Sequence, residues 1–335
     1  MKLAIFYTGL FRTFEKTYKY LFENVLLNDE CHIFACIDKA DEDKKEILEE
    51  KLGKHLKTIC FVEKYNEEMR DIWNNHVFLA LNGKVHHSWI DYLLHRSGSV
   101  FEYYQLYKCY QNMIEYENEN NIKYDYVLRI RLDMIINQKI DFSWLNIQEQ
   151  DVEIRIEKIK KIYNTSDQEK ITMILIQTIL NPGIILNERC IENELCIYDE
   201  NSIDGTFCNN LDENIRQVIT CSPENFVQNL VKYIHTGDYM LTIRKNLSFL
   251  FKREYADNIC TLVWNYGKYP YYKPHDYWFN AESQLQNVLV KTGKSIFDYT
   301  AYFEDKSLYE YNPNNYFEQD ETIKNIDILY FLVRY

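Results

Sequence analysis

The sequence predicts a three-layer α/β sandwich with a mostly parallel central sheet, and three observations carry that expectation. Apolar runs at residues 2–8 (KLAIFYT), 31–37 (CHIFACI) and 58–65 (TICFVEKY) read as strands. Helix-period segments separate them, the alternation from which parallel sheets are built. A fourth strand-like stretch, Tyr124 to Asn137 (YDYVLRIRLDMIIN), follows a long amphipathic pattern.

Taken in order, the first run stops at Gly9, and a helical pattern covers Thr13 to Leu27 with Thr13 as its N-cap. The second run stops at Asp38, and a charged helix is expected over Asp41 to Leu56. Residues 66–95 read as an aromatic insertion containing His86 and His87, a pair without the third partner that metal spacing requires. A clear helix then begins near Gly98 or Ser99, its apolar stripe running through Val100, Tyr104, Tyr107, Tyr110, Met113 and Ile114.

Beyond residue 137 a short helix is expected near Trp144, followed by a charged strand or helix, EIRIEKIKKIY. The segments TMILIQTIL and GIILN flank Asn181-Pro182-Gly183 and read as a hairpin. RQVITC (216–221) reads as a strand. A helix should start at Ser222-Pro223-Glu224, where Ser is a good cap and Pro fits the first turn. The final IDILYFLVRY reads as a last strand.

The stretch 124–137 organises the rest. In an extended strand Arg129, Arg131 and Asp133 share one face, opposite Leu128, Ile130 and Leu132. Unpaired charge on a core strand costs several kcal/mol. Two readings follow: the charges face a polar cleft or an anionic ligand at the strand's C-terminal end, or they pair with one another and close a sheet edge.

Bulk properties exclude some classes. The net charge, 38 − 51 = −13, lacks the basic footprint of a nucleic-acid or anionic-membrane surface. The opening residues lack a signal-peptide pattern, and the longest apolar stretch, 171–186, is interrupted by Gln177 and Pro182-Gly183, so no membrane span is expected. Nine cysteines without CxxC pairs suit reduced thiols, and a cytoplasmic location is expected. The 29 tyrosines rise together with Phe, Ile, Asn and Lys, which reads as codon bias more than as selection for sugar stacking. Dinucleotide and Walker glycine fingerprints are absent, as are the GxSxG and HExxH motifs.

Several residues suggest a site. Thr8-Gly9 followed by Arg12 sets a small hydroxyl, a glycine and a cation at a strand-to-helix turn, a favourable anion position. Asp38 ends the second strand, either as a ribose or base ligand or as a helix cap.

Together, Gly9-x-x-Arg12, the strand ending in Asp38, YDYVLRIRLD, QVITCSPENF (217–226) and YWFNAESQL (277–285) resemble nucleotide-sugar glycosyltransferases of the GT-A type, those carrying a YDxVxRxRxD strand. The resemblance implies a single GT-A/Rossmann-like domain over 1–335, with a nucleotide-binding half (1–137) and an acceptor half (138–335). It implies transfer of a sugar from a nucleotide-diphosphate donor to a hydroxyl on a glycan, protein or small molecule. The alternative is a non-catalytic binding or scaffold protein that keeps the fold. Thr8, Gly9, Arg12, Asp38, Arg129 and Arg131 would contact the donor. Asp133 falls at the metal-binding DxD, with Arg131 in place of its first Asp. Mn²⁺ or Mg²⁺ would then be held by Asp133 with help from His275, or Arg129 and Arg131 would neutralise the diphosphate without metal. Arg216-Gln217 stands where similar proteins have a DQ pair. Glu282 matches a C-terminal motif Glu, and Glu282, Asp276, Glu224 and Asp204 are candidates for the base that deprotonates the acceptor.

Overall fold

The computed structural model describes residues 1–26, 30–64, 66–72, 74, 99–136, 139–177, 213–237, 239–243, 248–265, 285, 295–298, 310–311 and 330–333. In chain order its elements begin with β1 (Leu3–Gly9), α1 (Phe14–Asn24), β2 (Cys31–Asp38), α2 (Lys45–Leu52), β3 (Leu56–Val62), α3 (Ser99–Asn120) and β4 (Tyr126–Arg131). Then come β5 (Met134–Ile136), α4 (Glu149–Tyr163), α5 (Gln168–Gln177), α6 (Glu213–Thr220), α7 (Pro223–Thr236), β6 (Tyr239–Ile243) and β7 (Ser248–Lys252). Short pieces follow: α8 (Ala256–Cys260), α9 (Leu262–Asn265), β8 (Ser295–Asp298), β9 (Glu310–Tyr311) and β10 (Tyr330–Val333). The chain is mixed α/β, with a mostly parallel sheet flanked by helices. No helix among the described residues is long and apolar enough to cross a membrane.

Two units divide the chain, the first built from Met1–Tyr18, Asn28–Asp133 and Asn246–Thr292, the second from Lys19–Leu27, Met134–Lys245 and Gly293–Tyr335. In the first, strands lie in the order β3-β2-β1-β4-β7; β1 to β4 are parallel and β7 is antiparallel to β4. Strands β1, β2 and β3 step outward on one side, and β4 then lands on the other side of β1. The strand order therefore reverses between β1 and β4.

Parallel strands covered on both faces carry near-continuous apolar sequence, and here Leu3, Ile5, Phe6, Ile33 and Phe34 are fully buried. Each such side chain stabilises by about 1.5–3 kcal/mol. Alternate side chains meet different layers: Phe6 sits edge-on to Phe34 at 6.3 Å and Phe34 to Tyr116 of α3 at 5.8 Å, while Tyr7 packs on Phe14 of α1 at 6.1 Å. Helix α3 lies across β1 and β2 and ends where Asn121 turns left-handed at φ 51°.

The second unit holds two small strand sets. β6 is parallel to β8, and β10 lies between β5 (antiparallel) and β9 (parallel). Its helices α4, α5, α6 and α7 pack on one another. α7 starts as expected, with Ser222 at the N-cap and Pro223 in the first turn, and stops where Gly237 turns left-handed at φ 61°.

Five expectations need correction. Residues 216–220 belong to α6, not to a strand: Ile215 and Val218 are buried three apart, so helical period overrides β-branched composition. Residues 172–177 of the expected hairpin's first arm (172–180) lie in α5, where every residue from Ile171 to Ile176 is buried, so that stretch shows no helical period; residues 178–187 lie outside the described residues. The helix expected over 41–56 begins only at Lys45, after a 3₁₀ segment, Lys39–Lys44, and the strand expected over 58–65 spans Leu56–Val62. The organising strand stops at Arg131; Leu132 and Asp133 form a turn, and Met134 opens β5. EIRIEKIKKIY is the body of helix α4, and Phe142–Asn146 is a 3₁₀ turn. Thr13 precedes α1 as expected, but its buried hydroxyl finds no hydrogen-bond partner.

Candidate functional site

The carboxyl ends of β1 and β4 lie side by side where strand order reverses, with Thr8 opposite Arg131 in register. The β1 exit is shaped by Gly9, whose φ of 126° L side chains rarely adopt; a Cβ there would find room, with Leu132 N nearest at 3.8 Å, so conformation and not space selects glycine. The β4 exit is pinned twice: Leu132 N–H donates to Thr8 O at 3.0 Å, and Thr17 Oγ1 donates to Leu132 O at 2.6 Å.

That turn folds Asp133 back onto the strand. Arg131 donates from Nε to Asp133 Oδ1 and from Nη2 to Oδ2, each at 2.8 Å, and from Nη1 to Glu102 Oε1 at 3.1 Å. Glu102, in the first turn of α3, also accepts from Arg129 Nη2 at 3.4 Å. Arg129 Nε donates to Thr8 Oγ1 at 3.3 Å, its carbonyl accepts from Ser248 Oγ at 2.7 Å, and its guanidinium lies 5.8 Å from the Phe249 ring centroid. Two arginines and two carboxylates therefore form one bridged, charge-balanced network, on a strand that lies between β1 and β7 and closes no sheet edge.

Burial sets the electrostatics. Arg129 is 3% exposed, and burial lowers its pKa against the opposing charge of Glu102. Burial works on Arg131 in the same direction, but the hydrogen bond to Asp133 and the charges of Glu102 and Asp133 raise its pKa overall. Below the network, burial raises the Tyr7 hydroxyl, with Thr17 opposing and the Asp133 charge adding. Glu102, Tyr103, Leu106, Arg129 and Phe249 line a recess with about 170 Å³ of empty space. That space includes open solvent and leaves no room for a water-sized sphere, so the recess by itself holds no nucleotide.

Thr8, Gly9, Arg129, Arg131 and Asp133 thus come together as a cluster. Arg12 is exposed three residues after Gly9. The anion expected at that turn is the chain's own: Phe11 N–H donates to Asp41 Oδ2 at 2.9 Å. Asp38 acts as a cap, its Oδ1 accepting from Ala40 N at 3.0 Å. Glu224 stands exposed in the first turn of α7, its pKa lowered by a hydrogen bond to Ser222. Glu282, Asp276, His275 and Asp204 lie outside the described residues.

A divalent ion does not fit Asp133 as it stands. Both carboxylate oxygens hold a guanidinium, so a metal would share one carboxylate with a neighbouring cation. Among the described residues no three His, Cys, Asp or Glu side chains group to hold a metal.

Sequence reasoning missed Glu102, whose only signal is an acid in a first helical turn. It also missed a second ion pair at the opposite end of β4. Arg253 grips Glu117 through Nε and Nη2 at 2.9 and 2.7 Å, Glu117 Oε1 accepts from Tyr124 N–H at 3.1 Å, and Tyr110 donates to Asp257 at 3.1 Å. Three free thiols, Cys36, Cys60 and Cys109, converge between β2, β3 and α3. Burial raises Cys36 and Cys109, while the bond to Cys36 and then burial raise Cys60; such thiols are inert. No family model, curated protein or solved structure matches this chain.

Proposed function

We propose that this protein is a GT-A-like glycosyltransferase that binds a nucleotide-diphosphate sugar over the carboxyl ends of β1 and β4 and transfers the sugar to a hydroxyl acceptor. One observation carries the reading. The paired arginines of the YDYVLRIRLD strand sit beside Thr8 and Gly9 at the reversal of strand order, where open α/β sheets bind their ligands. The 3-2-1-4 order is that of a Rossmann-like nucleotide-binding half. Arg131, with 19% of its side chain exposed, is the network's cation that a diphosphate can reach, since Arg129 is almost fully buried.

The test is calorimetric titration of the full chain with UDP- and GDP-sugars, with and without Mn²⁺. Binding of at least one donor, competed by its free nucleoside diphosphate, supports the reading; no heat with any donor in either buffer ends it.

A second reading, a binding or scaffold protein that keeps this sheet without catalysis, is favoured by the network's charge balance. Slow hydrolysis of a bound donor, followed as released diphosphate, would exclude it. Donor binding with no hydrolysis and no transfer to any offered sugar, peptide or small-molecule hydroxyl would favour it.

A further inference from the structure

Asp133 is held at both oxygens by Arg131, and it is 6% exposed. Any cation approaching it meets a like charge in the same fork. Arg131 is the more accessible partner. Three of its five N–H donors are used, by Asp133 twice and Glu102 once, and two remain. A carboxylate gripped by a guanidinium fork occupies the same geometry as two phosphate oxygens, so Asp133 is a built-in mimic of an anionic ligand.

We propose that Arg131 is the anion-binding group of this site and Asp133 its resting counter-ion, so that a nucleoside diphosphate is held without a divalent metal. This rests on the nucleotide-sugar reading and specifies how the diphosphate charge is met. Asp133 then competes with the ligand for one guanidinium. Removing its charge strengthens ligand binding, the opposite of what loss of a metal ligand does. Glu102 keeps Arg131 at the strand end while the fork turns between Asp133 and phosphate. The neighbouring Arg129, almost fully buried, maintains the positive charge behind it.

The experiment titrates UDP and GDP into the full-length chain in EDTA and in Mn²⁺, for the parent, Asp133→Asn and Arg131→Lys, with a thermal melt on each variant. Expected are affinities in EDTA and Mn²⁺ within about twofold, Asp133→Asn binding about two- to tenfold tighter, and Arg131→Lys about tenfold weaker because an ammonium cannot form the fork. Binding seen only with Mn²⁺, or lost in Asp133→Asn while that variant melts as a folded protein, overturns the inference and leaves the nucleotide reading standing. No binding of either diphosphate in any buffer overturns both. Should Arg131→Lys fail to fold, the sign of the Asp133→Asn effect and the EDTA comparison still decide.

Discussion

Arg131 holds both carboxylate oxygens of Asp133, two residues ahead on the same chain, at 2.8 Å each. An extended strand places residues i and i+2 about 6.6 Å apart with side chains side by side, and the turn at Leu132–Asp133 converts that into a closed fork. The turn depends on Thr17, whose hydroxyl donates to Leu132 O at 2.6 Å from a fully buried position. Thr17→Val keeps the shape and leaves that carbonyl without its side-chain donor. We expect a loss of about 1–3 kcal/mol, read as a lower urea midpoint at unchanged slope. An unchanged midpoint would show that the turn holds without it.

The Arg253–Glu117 pair is buried more deeply than the Arg131–Asp133 pair at the other end of β4, with side-chain exposures of 11% and 6%. Glu117→Gln leaves an unpaired buried guanidinium beside Tyr110 and should cost about 3–5 kcal/mol, whereas Glu117→Gln with Arg253→Met should recover most of it. Urea unfolding of the two single variants and the double variant measures the coupling. Additive losses would place the destabilisation in packing and not in charge.

How much of this was legible follows from what each residue needs from its neighbours. β1 and β2 were readable because a parallel strand covered on both faces is apolar throughout, as LAIFYT is. α7 was readable because Ser222, Pro223 and Gly237 mark its ends locally. The same apolar continuity misled at α5, where a helical stretch buried from Ile171 to Ile176 looks like a strand. In the site, the alternation of Arg129 and Arg131 was visible, and so was the alternative that they pair internally. What builds the internal pairing, Glu102 arriving from a helix 27 residues away from Arg129 and the turn that swings Asp133 round, is tertiary and leaves no local signature.

Arg155 makes the opposite case to Arg253. It is 6% exposed on α4, its Nη2 has no hydrogen-bond partner, and its guanidinium rests 5.2 Å from the Trp144 ring centroid. Burial pushes its pKa down to about 10. A cation stabilised only by a ring face is a candidate for replacement by a hydrocarbon of similar length, and Arg155→Met should be neutral or stabilising by about 1–3 kcal/mol. A urea midpoint lowered by the substitution would mean that the cation–π contact outweighs the desolvation it relieves.

Alkaline pH should expose the buried tyrosines as a group. Burial pushes Tyr126 up to about 12, with Asp125 and Glu254 adding, and Tyr110 up to about 12, with Asp257 adding. A phenol whose folded pKa lies above its unfolded value of 10.0 holds its proton longer in the native state. The native state then binds more protons between these values, so the derivative of unfolding free energy with pH is negative there. The stabilisation is complete below pH 10 and is lost as pH rises towards 12. Tyr110 is buried and Tyr126 half-buried, so each should contribute at most about 2 kcal/mol over that interval. Urea midpoints at pH 9, 10 and 11 should fall progressively, with Tyr110→Phe and Tyr126→Phe each flattening the fall. The share of tyrosinate absorbance that disappears in Tyr110→Phe and Tyr126→Phe should arise late and together with unfolding; its appearance near pH 10 in the folded protein would refute this account.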